Sequence, residues 1–199
     1  YNGWGNANVT FKNCTFSDNS GGYAAITGVS GTSTTVLNTI VWGNSPAEIY
    51  GEGTFAVTYS DIKGGYTGTG NINSDPKFVK VITTGDEESD YHLLDWSPAI
   101  GAGTATGAPT TDIEGNPRPN PAGSSPDMGA FENKWGTPQN APPVIATQSN
   151  LTTSEDETKT ATLSATDPNG DTITYSAVSD TNAVTVSISS STLTLELLA

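Results

Sequence analysis

The stretch Val9-Thr-Phe-Lys-Asn-Cys-Thr-Phe-Ser-Asp-Asn19 returns 25 residues later as Thr34-Thr-Val-Leu-Asn-Thr-Ile-Val-Trp-Gly-Asn44, so that Asn13 falls on Asn38 and Asn19 on Asn44. A third copy, Val57-Thr-Tyr-Ser-Asp-Ile-Lys-Gly-Gly65, follows at an offset of 22, with Ser60 on Asn38 and Ile62 on Ile40. A unit this short cannot bury an apolar face by itself and has to stack on its neighbours. Apolar positions alternate in each copy (Phe11, Cys14, Phe16; Val36, Ile40, Trp42; Val57, Tyr59, Ile62), which predicts short strands whose inward side chains rest on the coil below.

Leucine-rich and propeller repeats share this period, but neither the leucine-spaced signature nor the Trp-Asp signature is present, and a β-helix fits better. The recurring asparagine suits the turns of such a coil. Its short amide tolerates left-handed backbone and can hydrogen-bond the equivalent amide above and below. Composition agrees with an all-β chain: Gly, Pro, Ser, Thr and Asn are abundant, and no stretch carries sustained helical periodicity.

Twenty-one acids against six lysines and one arginine give a net charge of −14, which repels nucleic acid and anionic membranes and favours cations as partners. The same acidity also keeps an extracellular protein soluble. Cys14 is the lone cysteine, so neither an intrachain disulfide nor a Cys/His zinc site is open to the chain. No apolar run approaches the ~20 residues of a membrane span. Tyr1 opens inside a strand-like pattern, which reads as a fragment or a processed product.

From Asn71 the text changes to Asn-Ile-Asn-Ser-Asp-Pro-Lys-Phe-Val, then Asp90-Tyr-His-Leu-Leu, Ser97-Pro-Ala-Ile-Gly-Ala-Gly103, Asp112-Ile-Glu-Gly-Asn-Pro-Arg-Pro119 and Asp127-Met-Gly-Ala-Phe-Glu132. This ordered series resembles the C-terminal end of bacterial right-handed parallel β-helix proteins of the choice-of-anchor Q domain type, over roughly Asn38 to Glu132. The resemblance implies that residues after about Asp75 finish and cover the open end of the helix. Tyr91, Leu93, Leu94, Trp96, Ile100, Met128 and Phe131 are the apolar residues expected against that end. Residues 1–135 therefore read as the last coils and cap, and residues 136–143, with Pro142-Pro143, as a semi-rigid linker.

Residues 144–199 alternate apolar and polar positions over Lys159–Thr166, Thr172–Val178, Ala183–Ile188 and Thr192–Leu197, the pattern of a partial β-sandwich; a complete one needs on the order of 100 residues. The run Ala165-Thr-Asp-Pro-Asn-Gly-Asp-Thr-Ile-Thr-Tyr-Ser176, with Asn140-Ala-Pro-Pro ahead of it, resembles a bacterial cadherin-like or immunoglobulin-like repeat. By position, that resemblance implies a Ca²⁺ site from Glu155, Asp167 and Asn169, to which Asp171 could add an oxygen. Ca²⁺ takes six to eight oxygens, which carboxylates gathered at turns can supply. The competing reading is a turn locked by its own Asp and Asn side chains, with Gly170 accepting a positive φ.

An enzyme of this shape needs a base near a cation or paired carboxylates at a defined separation. Arg118 sits between prolines, Asp86-Glu-Glu88 and Asp112 with Glu114 read as loop charges, and His92 has no Ser or Cys nucleophile motif nearby. The expectation is a non-catalytic extracellular structural or adhesion module at the cell surface, able to self-assemble into a fibre stabilised by calcium, and partnered by copies of itself or by surface proteins and glycans. The alternative is a carbohydrate-binding or polysaccharide-degrading β-helix protein whose active site lies outside this stretch. Tyr1, Trp4, Tyr50 and Tyr66 are aromatics that could stack on sugars, and Trp42 and Tyr59 are the residues whose substitution would test it.

Overall fold

The computed structural model describes residues 7–82, 88–152, 154, 157–179 and 184–197, and divides into two compact units, Tyr1–Gln139 and Asn140–Ala199. The chain is all-β. Among the described residues no helix is long and apolar enough to cross a membrane.

In the first unit the chain visits three sheets in rotation: β1 (Asn8–Lys12), β2 (Thr15–Ser17) and β3 (Ile26–Gly28), then β4 (Ser33–Leu37), β5 (Ile40–Trp42) and β6 (Ile49–Gly51), then β7 (Thr54–Thr58) and β8 (Asp61–Ile62). Each strand pairs in parallel with its counterpart one pass later, giving the orders β1-β4-β7, β2-β5-β8 and β3-β6. The first repeat holds in register, with Phe11 opposite Val36 and Phe16 opposite Val41. The next pass stands at an offset of 21 instead of 22, so that Asp61, and not Ile62, lies opposite Ile40. One residue decides which face every side chain takes.

That register places Val36, Val57, Val41, Ile62 and Ile26 in one core shared by all three sheets, with Phe11, Phe16 and Phe55 packed on it. Ile40, Trp42 and Tyr59, expected inward, face the opposite way and join Leu93, Ile100 and Met128 in a second cluster. The reversal occurs at the corner between sheets, where Asn13, Asn38 and Tyr59 occupy equivalent positions with φ of 47°, 50° and 49°. The amides stack as the repeat implies: Asn38 Nδ2 donates to Asn13 Oδ1 at 3.3 Å, and Asn19 Nδ2 to Asn44 Oδ1 at 2.8 Å.

After β8 the chain first lays Thr69 and Ile72 on the last pass, with Tyr59 N donating to Thr69 O and Ile62 N to Ile72 O, and the segment after Asp75 then corrects the expectation of an end cover. It runs along the flank of β2-β5-β8. Asn13 Nδ2 donates to Asp127 O and Asn38 Nδ2 to Thr104 O, Gly129 N donates to Asn38 O, and Ala130 N to Thr15 Oγ1. The physical reason is the outward Ile40, fully buried only because this segment lies over it. Two short antiparallel strands, β9 (Phe78–Lys80) and β10 (Asp90–Leu93), start the segment.

The irregular remainder is held by carboxylates acting as multiple acceptors. Asp112 takes the N–H groups of Glu114, Asn116 and Glu132 and the Asn116 amide. Glu132 takes those of Asn120 and Asp127, and Asp127 those of Gly101 and Asn133. Arg118, with its side chain fully buried, donates from Nη1 to Gly129 O and places Nε 2.9 Å from Glu132 Oε2. The Nε–H points off the hydrogen-bonding line, so this contact is an ion pair and not an aligned bond.

In the second unit β11 (Val144–Ile145) pairs with β13 (Ala165–Thr166), and β12 (Thr158–Thr162) and β14 (Val184–Ser189) flank β15 (Thr192–Leu197), all antiparallel. Thr172–Val178, expected as a strand, forms none. Alternation measures fitness for a two-faced sheet, but a strand also needs a partner edge, and Val178 stands 93% exposed. Ala141 and Leu163 are the buried apolar residues among those described in this unit.

Candidate functional site

The β3-β6 ladder ends in two stacked glycines. Gly28 pairs with Gly51 in register, and a Cβ on Gly51 would sit 1.9 Å from the Gly28 carbonyl oxygen. A Cβ on Gly28 would come within 2.7 Å of Phe55 Cζ. Neither position accepts a side chain, because the Phe55 ring and the Gly28 carbonyl take up the space, and both glycines line an open groove of about 590 Å³.

Aromatic rings make its walls. Phe55 and Tyr66 lean on the central core, while Tyr23 and Tyr50 stand 71% and 56% exposed with ring centroids 5.9 Å apart and planes 15° from parallel. At that separation the rings are offset, so together they present a stepped apolar surface to solvent. Thr27 and the carboxylate of Glu52 add polar atoms to the lining. Tyr50 and Tyr66 are visible in the sequence as spare aromatics. Tyr23 and Phe55 are not, because neither falls at a repeat offset from them. Trp42 instead lines a separate groove with Asp18, Asp75 and Lys77, and Tyr59 packs in the flank cluster. Tyr1 and Trp4 lie outside the described residues.

Two buried acids are strongly perturbed. Burial pushes Asp61 up to about 7 despite the hydrogen bond its Oδ1 accepts from Ser74 N; Oδ2 has no partner. Burial likewise pushes Asp127 up to about 7 against the N–H groups of Asn133 and Gly101. Both carboxyls are closed off from solvent. His92 bridges Asp90 Oδ1 at 2.6 Å through Nδ1 and Glu114 Oε2 at 3.1 Å through Nε2, and its ring packs on Phe131 with centroids 4.0 Å apart. Partial burial opposes its charge, but the two carboxylates prevail and raise its pKa.

At the candidate calcium turn, Asp167 Oδ1 accepts the N–H groups of Asn169 and Asp171, Gly170 N donates to Asp167 O, and Asn169 Oδ1 accepts Ala141 N at 2.6 Å. Glu155 lies outside the described residues, as do Asp86 and Glu87. The turn is therefore closed by its own hydrogen bonds, and Asp167 Oδ2 and the Asp171 carboxylate are the charged oxygens it leaves over. That set fits a weak ion contact and not a preformed cage. Among the described residues no three His, Cys, Asp or Glu side chains converge as metal ligands.

No family model, no curated protein and no solved structure matches this chain.

Proposed function

We propose that this chain is a non-catalytic structural and adhesive module of an extracellular bacterial surface protein. In this reading the first unit is the end of a right-handed parallel β-helix of the choice-of-anchor Q type, serving as a rigid stalk. The second is a partial cadherin-like sandwich. The observation that carries the reading is the in-register parallel stack with its asparagine ladders, braced along one flank by a segment bonded to successive passes. Such an array resists bending because each pass contacts its neighbours through continuous backbone hydrogen bonds and a continuous core. The acids of the flank support a structural role, since the oxygens of Asp112, Asp127 and Glu132 are spent on backbone and amide donors or on Arg118.

The adhesive half of the proposal rests on the aromatic groove, where large apolar rings stand in water without a covering element. Calcium enters only as a weak ligand of the Asp167–Asp171 turn. Immunogold electron microscopy with an antibody to this chain tests the reading: label along rods or fibres at the cell surface is expected, and label confined to the cell interior would overturn it.

A further inference from the structure

We infer that the Tyr23–Tyr50 groove is a binding site for an uncharged pyranose sugar of a surface glycan. The inference rests on the adhesive reading above and gives it a ligand class. A pyranose has an apolar face of C–H groups and an equatorial rim of hydroxyls. The groove offers the complement of both: two nearly parallel exposed rings, and beside them the Glu52 carboxylate, the Thr27 hydroxyl and the phenol hydroxyls.

Three observations select this ligand. The lining has one charged residue, the acid Glu52, and no Lys, Arg or His, so nothing there compensates a uronate, sialate or phosphate. A net charge of −14 further disfavours anions. The glycine pair is the second. Gly28 and Gly51 let the Phe55 ring and the Gly28 carbonyl close up behind the groove, so that it is backed by ring and backbone and not by long side chains. The third is rigidity. Tyr50 belongs to β6, hydrogen-bonded in register to β3, and Phe55 backs the groove from β7, so the Tyr50 half of the platform is held before any ligand arrives, while Tyr23, in the bend before β3, is placed by its stacking on Tyr50. An apolar peptide side chain would favour a closed pocket over an open step of rings.

The test is titration of the full chain with uncharged hexose and N-acetylhexosamine oligosaccharides, with size-matched uronic acid oligosaccharides and a panel of apolar peptides alongside, read by saturation-transfer NMR and calorimetry. Binding of an uncharged oligosaccharide is expected, with a preference of about fivefold or more over its uronic acid counterpart at low salt. Tyr50→Ala and Tyr23→Ala should each weaken it by about tenfold. Glu52→Gln should weaken it several-fold less than either. Both tyrosines are exposed, so unchanged melting curves will show that the variants fold. Failure of all uncharged sugars to bind, binding indifferent to both tyrosine variants, or binding of peptides in their place would each overturn the assignment. The two readings fail separately. Sugar binding by a chain absent from the cell surface would keep the site and remove the adhesive function, whereas surface fibres with a groove silent to sugars would do the reverse.

Discussion

The two units use the same short strands and reach different degrees of burial. In the first, three parallel ladders enclose a core in which Val36 and Val41 are fully buried, and a flanking segment adds a second core over the outward Ile40, also fully buried. In the second, the antiparallel pairs are as complete in hydrogen bonds, yet Val144 and Ile145 stand 60% and 58% exposed. Backbone pairing is common to both, so the difference lies in whether a second layer covers each strand face. Net hydrogen-bond stabilisation is about 1 kcal/mol per bond, while a buried Val or Ile side chain contributes ~1.5–3 kcal/mol. The first unit should therefore dominate the stability of the chain, and substitutions should separate the two.

The largest separation is expected from Arg118→Ala. It strands Glu132 as a buried unpaired charge and removes the donor to Gly129 O, at a cost of about 3–5 kcal/mol. In urea unfolding monitored by hydrogen exchange, the first unit should lose protection along residues 93–133 while β12, β14 and β15 keep theirs. Equal loss in both units would show that they unfold as one. A sharper comparison sets Asn38→Ala against Asn169→Ala. Asn38 is fully buried, bonds Asn13, Thr104 O and Thr104 N, and holds a left-handed φ that alanine disfavours, so about 3 kcal/mol is expected. Asn169 is exposed and its amide oxygen holds one backbone N–H, so about 1 kcal/mol or less is expected. Equal midpoints for the two variants would break the contrast.

How legible all this was in the sequence differs by region for a physical reason. The repeat offset of 25 between Asn13 and Asn38 was readable because stacked coils place like residues on like positions. The next offset of 22 is off by one, because matching Ile62 to Ile40 looks better in the sequence than matching Asp61. The sequence carries no sign that an aspartate would enter a fully buried strand position. The motifs containing Asp112, Asp127 and Glu132 stood out, but their use as acceptors along a flank depends on which face Ile40 presents, and that follows only from the turn at Asn38. The groove was half legible: Tyr50 and Tyr66 are conspicuous, whereas its glycine lining arises from the pairing of Gly28 with Gly51. In the second unit, alternation at Thr172–Val178 overstated the strands because sequence periodicity does not count partners.

Acidity should move the first unit in an unusual direction. Asp61 and Asp127 titrate near 7 in the folded chain, above the usual 3.8 of an unfolded aspartate. The folded state therefore binds more protons between about pH 4 and 7. The stability these groups confer is fully present below pH 4 and is lost as pH rises through 7. His92 adds the same sign, its contribution present below 6.5 and lost as pH climbs past its raised value. Asp112 opposes them at the acid end. Burial pushes it up, but the Asn116 amide and the N–H groups it accepts outweigh burial and lower it, so its contribution disappears as pH falls below about 4. Unfolding free energy should be highest near pH 4 and decline as pH rises toward 7, by about 1.4 kcal/mol per pH unit for each of the two aspartates. Asp61→Asn should flatten that decline by about half, and an unchanged slope in this variant would remove Asp61 from the account.

Calcium is where the contrast between the units can be sharpened with the smallest effect. A unit with few buried side chains gains proportionally more from an ion that ties its turns together than one already braced by a second core. The oxygens limit that gain, because Asp167 Oδ1 and Asn169 Oδ1 are already engaged by backbone donors. Two remaining carboxylates suit millimolar affinity, and a calcium concentration tenfold above such a dissociation constant stabilises by about 1.4 kcal/mol. Differential scanning calorimetry with 10 mM calcium and then with excess chelator should move the transition of the second unit by a few degrees and leave that of the first in place. A shift several times larger would mean that the turn exchanges its internal hydrogen bonds for the ion. No shift in either unit would mean that the Asp167 turn is complete as a hydrogen-bonded structure and that any joint it makes is held without metal.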